Sequence, residues 1–146
     1  MEWMLLPFRR YAEFSGRSRR KEFWMFGLLT VMVYAVGGSL MLAGGLASAW
    51  TETEPTFGPL FWVGVAVLGL YGLAIFIPSI ALTVRRLHDR DMSGWWYLGV
   101  IVLGSIPYVG WLVNLAFLVL MCLEGTQGPN RFGPDPKDRG SMAVFA

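Results

Sequence analysis

The residues best equipped for chemistry lie together in one short stretch, Thr83 to Trp96, which holds the only histidine, His88, beside Arg85, Arg86, Asp89, Arg90 and Asp91. His88 with Asp89, or with Glu22 from elsewhere in the chain, has the makings of an acid/base pair able to act on a lipid headgroup. Spacing argues against the nearer partner, because residues one apart point to different faces of a helix and do not hydrogen-bond directly in a helical turn. The competing expectation is a structural imidazole bonded to a carbonyl or a tail carboxylate. Ser93 has no Gly-x-Ser-x-Gly elbow around it, so it reads as the cap that opens the next apolar segment. No catalytic residue is assigned. One histidine and one cysteine are too few for a protein-only metal site, and no cofactor is implied. Cys122 lies inside an apolar run, where it serves as packing.

The chemistry is set in a chain built for hydrocarbon. Of 146 residues, 55% are hydrophobic and only 15% charged, a composition of membrane rather than soluble proteins. Neither 55–84 nor 92–123 contains Asp, Glu, Lys or Arg. The net charge of +2 is small, and its basic residues cluster at the ends of apolar runs. That pattern sets membrane orientation and excludes a basic nucleic-acid-binding face. The expected fold is all-α and integral to the membrane, as a single domain. It has a short N-terminal interfacial helix, two long transmembrane helices and a helical hairpin broken at Pro107, giving four segments, with three spans as the alternative.

In order, residues 1–22 form a cytoplasmic or interfacial segment in which Trp3, Leu6, Phe8, Tyr11 and Phe14 meet the headgroup region and Arg9 and Glu13 are spaced for an i,i+4 pair. Ser18 is the expected N-cap of the next helix. Arg19, Arg20 and Lys21 then oppose the helix dipole, at a few tenths to about 1 kcal/mol each. Attraction of each cation to an anionic cytoplasmic leaflet, about 1 kcal/mol, offsets this. Trp24 adds an interfacial aromatic. Span 1 covers 23–49; its uncharged run is too long for the roughly 7 to 15 residues of a signal-peptide core, so it should remain as an anchor. Small residues four apart, such as Gly44 with Ser48, invite a close helix neighbour.

The stretch from Trp50 to Pro59 carries Glu52 and Glu54 and no cation, so it reads as a loop on the far side. Span 2 covers 60–84, with Gly64, Gly69 and Gly72 as close-approach positions and Pro78 as a kink. A cytoplasmic loop, 85–92, follows, where Arg85 and Asp89 form a natural i,i+4 pair. The last apolar region, 93–123, is either a broken span 3 or spans 3 and 4. Its uncharged run of residues 92–123 would measure about 48 Å as one helix, against a hydrocarbon core of about 30 Å. Ile106-Pro107-Tyr108-Val109-Gly110 interrupts it. A hairpin returns Arg131, Lys137 and Arg139 to the side of the other cations, which favours it over a single crossing. The tail, 124–146, is dense in turn formers.

Three blocks occur in order: Phe14-x-Gly16-Arg17-x-Arg19-Arg20-x-Glu22-Phe23-Trp24, then Arg86-Leu87-His88-Asp89 with Ser93-Gly94-Trp95-Trp96, then Gly125-Thr126-x-Gly128-x-Asn130-Arg131-Phe132-Gly133-Pro134-Asp135-Pro136. Together they resemble the bacterial inner-membrane family known as domain of unknown function 805. The resemblance implies a small multi-pass protein of the bacterial cytoplasmic membrane and supplies no activity.

With the hairpin topology all three blocks, and the N-terminus, face the cytoplasm. The candidate binding residues there are Arg17, Arg19, Arg20, Glu22, Arg85, Arg86, His88, Asp89, Asn130, Arg131 and Asp135. Arginine clusters at the interface suit anionic phospholipid headgroups, since bidentate donors give specificity and the leaflet potential gives affinity. Setting orientation and capping helices is the plainer role for the same charges. The expected activity is non-enzymatic binding of an anionic headgroup or a protein partner, including a second copy of the chain. A headgroup-processing enzyme using His88 and an acidic residue, and a small solute channel or carrier, are the alternatives. No span carries an ionisable residue suited to coupled transport.

Overall fold

A computed structural model describes residues 2–51, 54 and 56–137. Among these the chain is helical without a strand, in the order α1 (Glu2–Arg9), α2 (Arg20–Met41), a π-helical turn (Leu42–Leu46), α3 (Ser48–Thr51), α4 (Pro59–His88), α5 (Trp95–Gly104) and α6 (Gly110–Cys122). Glu52 and Pro55 of the acidic loop, and 138–146 with Arg139, lie outside the described residues. The chain divides into two compact units, one of residues 1–25 with 77–146 and one of residues 26–76.

Among the described residues, two helices are long and apolar enough to cross a membrane: Arg20–Leu46, in which α2 continues through the π turn, and α4. The 30 residues of α4 make about 45 Å of helix, enough for a bilayer with tilt. Trp62, Leu70, Leu73 and Phe76 stand exposed along it, a contiguous apolar surface suited to lipid tails rather than water. The helix runs on through Pro78 without interruption.

Within residues 26–76, glycines set the approach of α2 to α4. A Cβ on Gly64 would come within 2.7 Å of the Gly37 carbonyl oxygen, and one on Gly44 within 2.0 Å of the Phe61 backbone nitrogen. Gly69 and Gly72, expected to share this role, face open space. Tyr71 joins the same packing through a 3.1 Å hydrogen bond between its hydroxyl and that of Thr30. Span 1 was expected to continue to residue 49, but its α-helical pairing ends at Met41 and the chain turns at Gly45, whose φ of +103° is accessible to glycine at little cost. Ser48 secures the exit by donating to the Gly45 carbonyl at 2.7 Å and accepting from the Thr56 backbone N–H at 3.1 Å.

In the other unit, α4 ends in a Schellman turn. Asp91 adopts φ +58°, its N–H donates to the His88 carbonyl at 3.0 Å, and the Met92 N–H donates to the Leu87 carbonyl at 3.0 Å. The last apolar region is two helices broken at Ser105–Val109, where Pro107 lacks an N–H and Tyr108 takes φ +64°. They pack antiparallel. Tyr97 stacks on Phe117 at 5.9 Å, and a Cβ on Gly110 would lie 2.1 Å from the Gly104 carbonyl oxygen. Asn114 turns its amide inward to the Gly110 carbonyl at 2.8 Å, so its polar group is satisfied within the hairpin. At 10 and 13 residues, the arms measure about 15 and 20 Å, each shorter than the hydrocarbon core.

Two expected helix pairs are replaced by neighbours one residue away. Because α1 stops at Arg9, Glu13 lies outside the helical register, and Arg10 holds it instead at 2.7 Å. Arg85 turns toward Glu22, leaving Asp89 to Arg86 in an i,i+3 pair. Ser18, the expected cap, donates its hydroxyl to the Glu22 carboxylate at 2.6 Å while its N–H donates to the Arg85 carbonyl at 3.1 Å.

Candidate functional site

Three segments meet at the end of α4: a strap of residues 14–18, the turn 85–92, and the tail 124–137. Their junction is built from buried arginines. Arg85 and Arg86 are both 0% exposed, and Asp89 is 4% exposed. Such charges persist in a protein interior only when paired and hydrogen-bonded. Asp89 provides the pairing for two of them. One carboxylate oxygen accepts from Arg17 at 3.0 Å and the other accepts from Arg86.

Each guanidinium then spends its other donors on carbonyls of the tail and hairpin. Arg17 donates to Thr126 and to Gly128, both at 2.6 Å. Arg86 donates to Leu123 and, at 3.3 Å, to Met121. The planar five-donor fork of arginine permits this, and lysine cannot reproduce it. Gly125 is required where the tail passes Asp89, since a Cβ there would lie 1.9 Å from a carboxylate oxygen. The Thr126 N–H closes the crossing with 2.8 Å to the Asp89 carbonyl.

Arg85 and Glu22 form the second buried pair, 3.4 Å apart. Burial pulls both Arg85 and Arg86 down from the ordinary arginine value, opposed by the charges of Glu22 and Asp89 respectively. His88 belongs to neither carboxylate. Its Nδ1 lies 3.2 Å from the Gly16 carbonyl oxygen, and its ring stacks on Phe132 at 3.9 Å with an interplanar angle of 4°. Burial, with a smaller contribution from the Arg131 charge, pushes its pKa below the ordinary value. No acid/base pair with Asp89 or Glu22 is formed, because both carboxylates are taken by arginines.

The remaining sequence candidates hold the tail in shape. Asn130 donates to the His88 carbonyl at 2.9 Å and accepts from the Phe132 N–H at 2.9 Å. Asp135 accepts from the Gly128 and Lys137 N–H groups. Arg131 pairs with Asp91 at 3.2 Å on the exposed side.

Arg19 and Arg20 stand apart from the buried cluster. With Lys21, Trp24, Cys122 and Lys137 they line an open cleft of about 570 Å³. Glu124 already bonds two of these cations, Arg20 at 2.6 Å and Lys137 at 3.3 Å. Trp3 of α1 lies under the Arg19 and Lys21 charges at 5.7 and 5.5 Å, a cation–π arrangement. Lys21, Trp24, Glu124 and Lys137 were not among the sequence candidates. Gly125, Thr126 and Gly128 were visible only as members of the third motif block.

Residues 11–134 match the family described as "Protein of unknown function (DUF805)". Inner membrane protein YhaI of Escherichia coli (strain K12) is 42% identical over 137 residues, covering 94% of this chain and 97% of that protein. Inner membrane protein YhaH of the same strain is 41% identical over 137 residues, covering 94% and 98%. The uncharacterized protein YiiR of that strain is 25% identical over 149 residues, covering 86% of each. No solved structure matches. With aligned relatives over nearly its whole length and a family match that takes in every residue of the first two motif blocks and all of the third except Asp135 and Pro136, the chain belongs to the DUF805 family of proteins of unknown function.

Proposed function

We propose that this chain is a multi-pass inner-membrane protein that holds the headgroup of an anionic phospholipid in the cleft lined by Arg19, Arg20, Lys21 and Lys137, on the cytoplasmic side. The observation that carries the reading is the convergence of four cations on one open cleft whose wall includes Trp24, at the point where the uncharged run beginning at Phe23 starts. Cations there feel the leaflet potential, and Trp24 has the amphipathic character of an interfacial anchor. Glu124 acts as an internal stand-in for the phosphate, balancing Arg20 and Lys137 until a headgroup competes for them. Arg17, Arg85 and Arg86 serve the fold and not the cleft, since Arg17 and Arg86 donate to carbonyls and to Asp89 inside the protein and Arg85 is ion-paired with the buried Glu22 at 3.4 Å.

The test is thermal unfolding of the purified full chain in neutral detergent with added phosphatidylglycerol or phosphatidylcholine. Phosphatidylglycerol should raise the midpoint by about 2–4 °C for each kcal/mol of binding linkage, phosphatidylcholine should not, and K21A/K137A should lose the difference. Equal responses to the two lipids, or a difference that survives in the double variant, would overturn the proposal.

A further inference from the structure

A second cavity, of about 550 Å³, opens beside the strap and is lined chiefly by Phe14, Val84, His88, Ser93, Trp95 and Leu98. Its chemistry is unlike that of the basic cleft. Apart from the imidazole, the described residues of the wall carry no ionisable side chain other than the phenol of Tyr97, so none of them compensates the charge of an anion or a cation. The cavity selects an uncharged occupant.

His88 makes the selection narrower. The Gly16 carbonyl can only accept, so the 3.2 Å contact assigns the proton to Nδ1 and leaves the lone pair of the neutral ring on Nε2. Among the described residues nothing bonds to Nε2. The ring is held in place by Phe132 on its face and by the Gly16 carbonyl at Nδ1, while Asn130 fixes the His88 backbone carbonyl. Its hydrogen-bonding direction is therefore fixed. A ketone or ester offers no donor to this atom, and a plain hydrocarbon leaves it unsatisfied. A hydroxyl satisfies it, and the Ser93 hydroxyl, whose one hydrogen bond among the described residues is a long 3.5 Å acceptance from the Trp95 N–H, has its own proton to offer in return.

We propose that this cavity binds a lipid alcohol, an uncharged amphiphile whose hydroxyl donates to His88 Nε2 and whose hydrocarbon lies against Phe14, Val84, Trp95 and Leu98. Diacylglycerols and polyprenols share this chemistry, and the binding experiment separates them.

Equilibrium binding of tritiated dioleoylglycerol, tritiated farnesol and the O-methyl ether of each would be measured on the full chain in phosphatidylcholine nanodiscs. At least one alcohol should bind saturably and about tenfold more tightly than its ether, the scale of one lost hydrogen bond; the tighter alcohol identifies the source. His88→Phe keeps the stack on Phe132 but removes the acceptor, so alcohol and ether should then bind alike. Leu98→Trp fills the apolar wall away from the arginine cluster and should abolish saturable binding while leaving the thermal midpoint and the phosphatidylglycerol response intact. Equal affinity of alcohol and ether for the unaltered chain, absence of saturable binding by either alcohol, or full binding by Leu98→Trp would each overturn the proposal.

Discussion

Asp89 serves two guanidinium groups at once, and the consequence is asymmetric. Removing its charge strands Arg17 and Arg86, both buried, so Asp89→Asn should cost about 3–5 kcal/mol. The drop in unfolding midpoint should be accompanied by faster proteolysis of the tail, which those arginines hold by its carbonyls. Gly125→Ala should destabilise through the same crossing without touching a charge, because the new methyl meets the carboxylate. His88 gives a pH signature. Its folded pKa is depressed, so the unfolded chain binds the proton more readily and stability rises with pH through that window. The His88 contribution is complete above the ordinary histidine value and is lost as pH falls below it. Midpoints of the unaltered chain and of His88→Gln should therefore diverge most above pH 7 and converge toward pH 5. The sequence singled out Arg17, Arg86, His88 and Asp89 but not Gly125, and it assigned Asp89 to Arg85. Helical spacing alone cannot tell which of two adjacent arginines is claimed by a distant glutamate, here Glu22.

At the scale of elements, glycine spacing in α4 was legible but its direction was not. Gly64, Gly69 and Gly72 all suit close approach, yet only Gly64 has a backbone beside it. Gly64→Ala should lower the unfolding midpoint in detergent, whereas Gly69→Ala and Gly72→Ala should leave it within about 0.5 kcal/mol of the unaltered chain or raise it slightly. The break at Pro107 was readable because proline, glycine and a run too long for one span coincide there. The π turn at Leu42–Leu46 was not, since it lies inside an apolar run where neither charge nor proline marks a change; the pair Gly44-Gly45 was the available signal.

For the whole molecule, the membrane class followed from the absence of charge across long runs, and the arrangement of the candidate site did not. Sequence motifs grouped the arginines by segment, whereas the fold sorts them by depth, with Arg17, Arg85 and Arg86 inside and Arg19, Arg20 and Lys21 around the cleft. That sorting depends on contacts more than a hundred residues apart in sequence, such as Arg17 with Gly128, which no local pattern records. The proposed orientation makes its own prediction. A cysteine replacing Ala146, with Cys122 removed, should resist a membrane-impermeant thiol reagent on intact spheroplasts and react after lysis. Headgroup binding is tested most directly by native mass spectrometry of the chain extracted from a bacterial membrane, alongside K21E/K137E. The unaltered chain should retain phosphatidylglycerol or cardiolipin, and the variant should lose it at equal abundance and fold. The same anionic lipids on both proteins, or only zwitterionic phosphatidylethanolamine on the unaltered chain, would contradict the proposal.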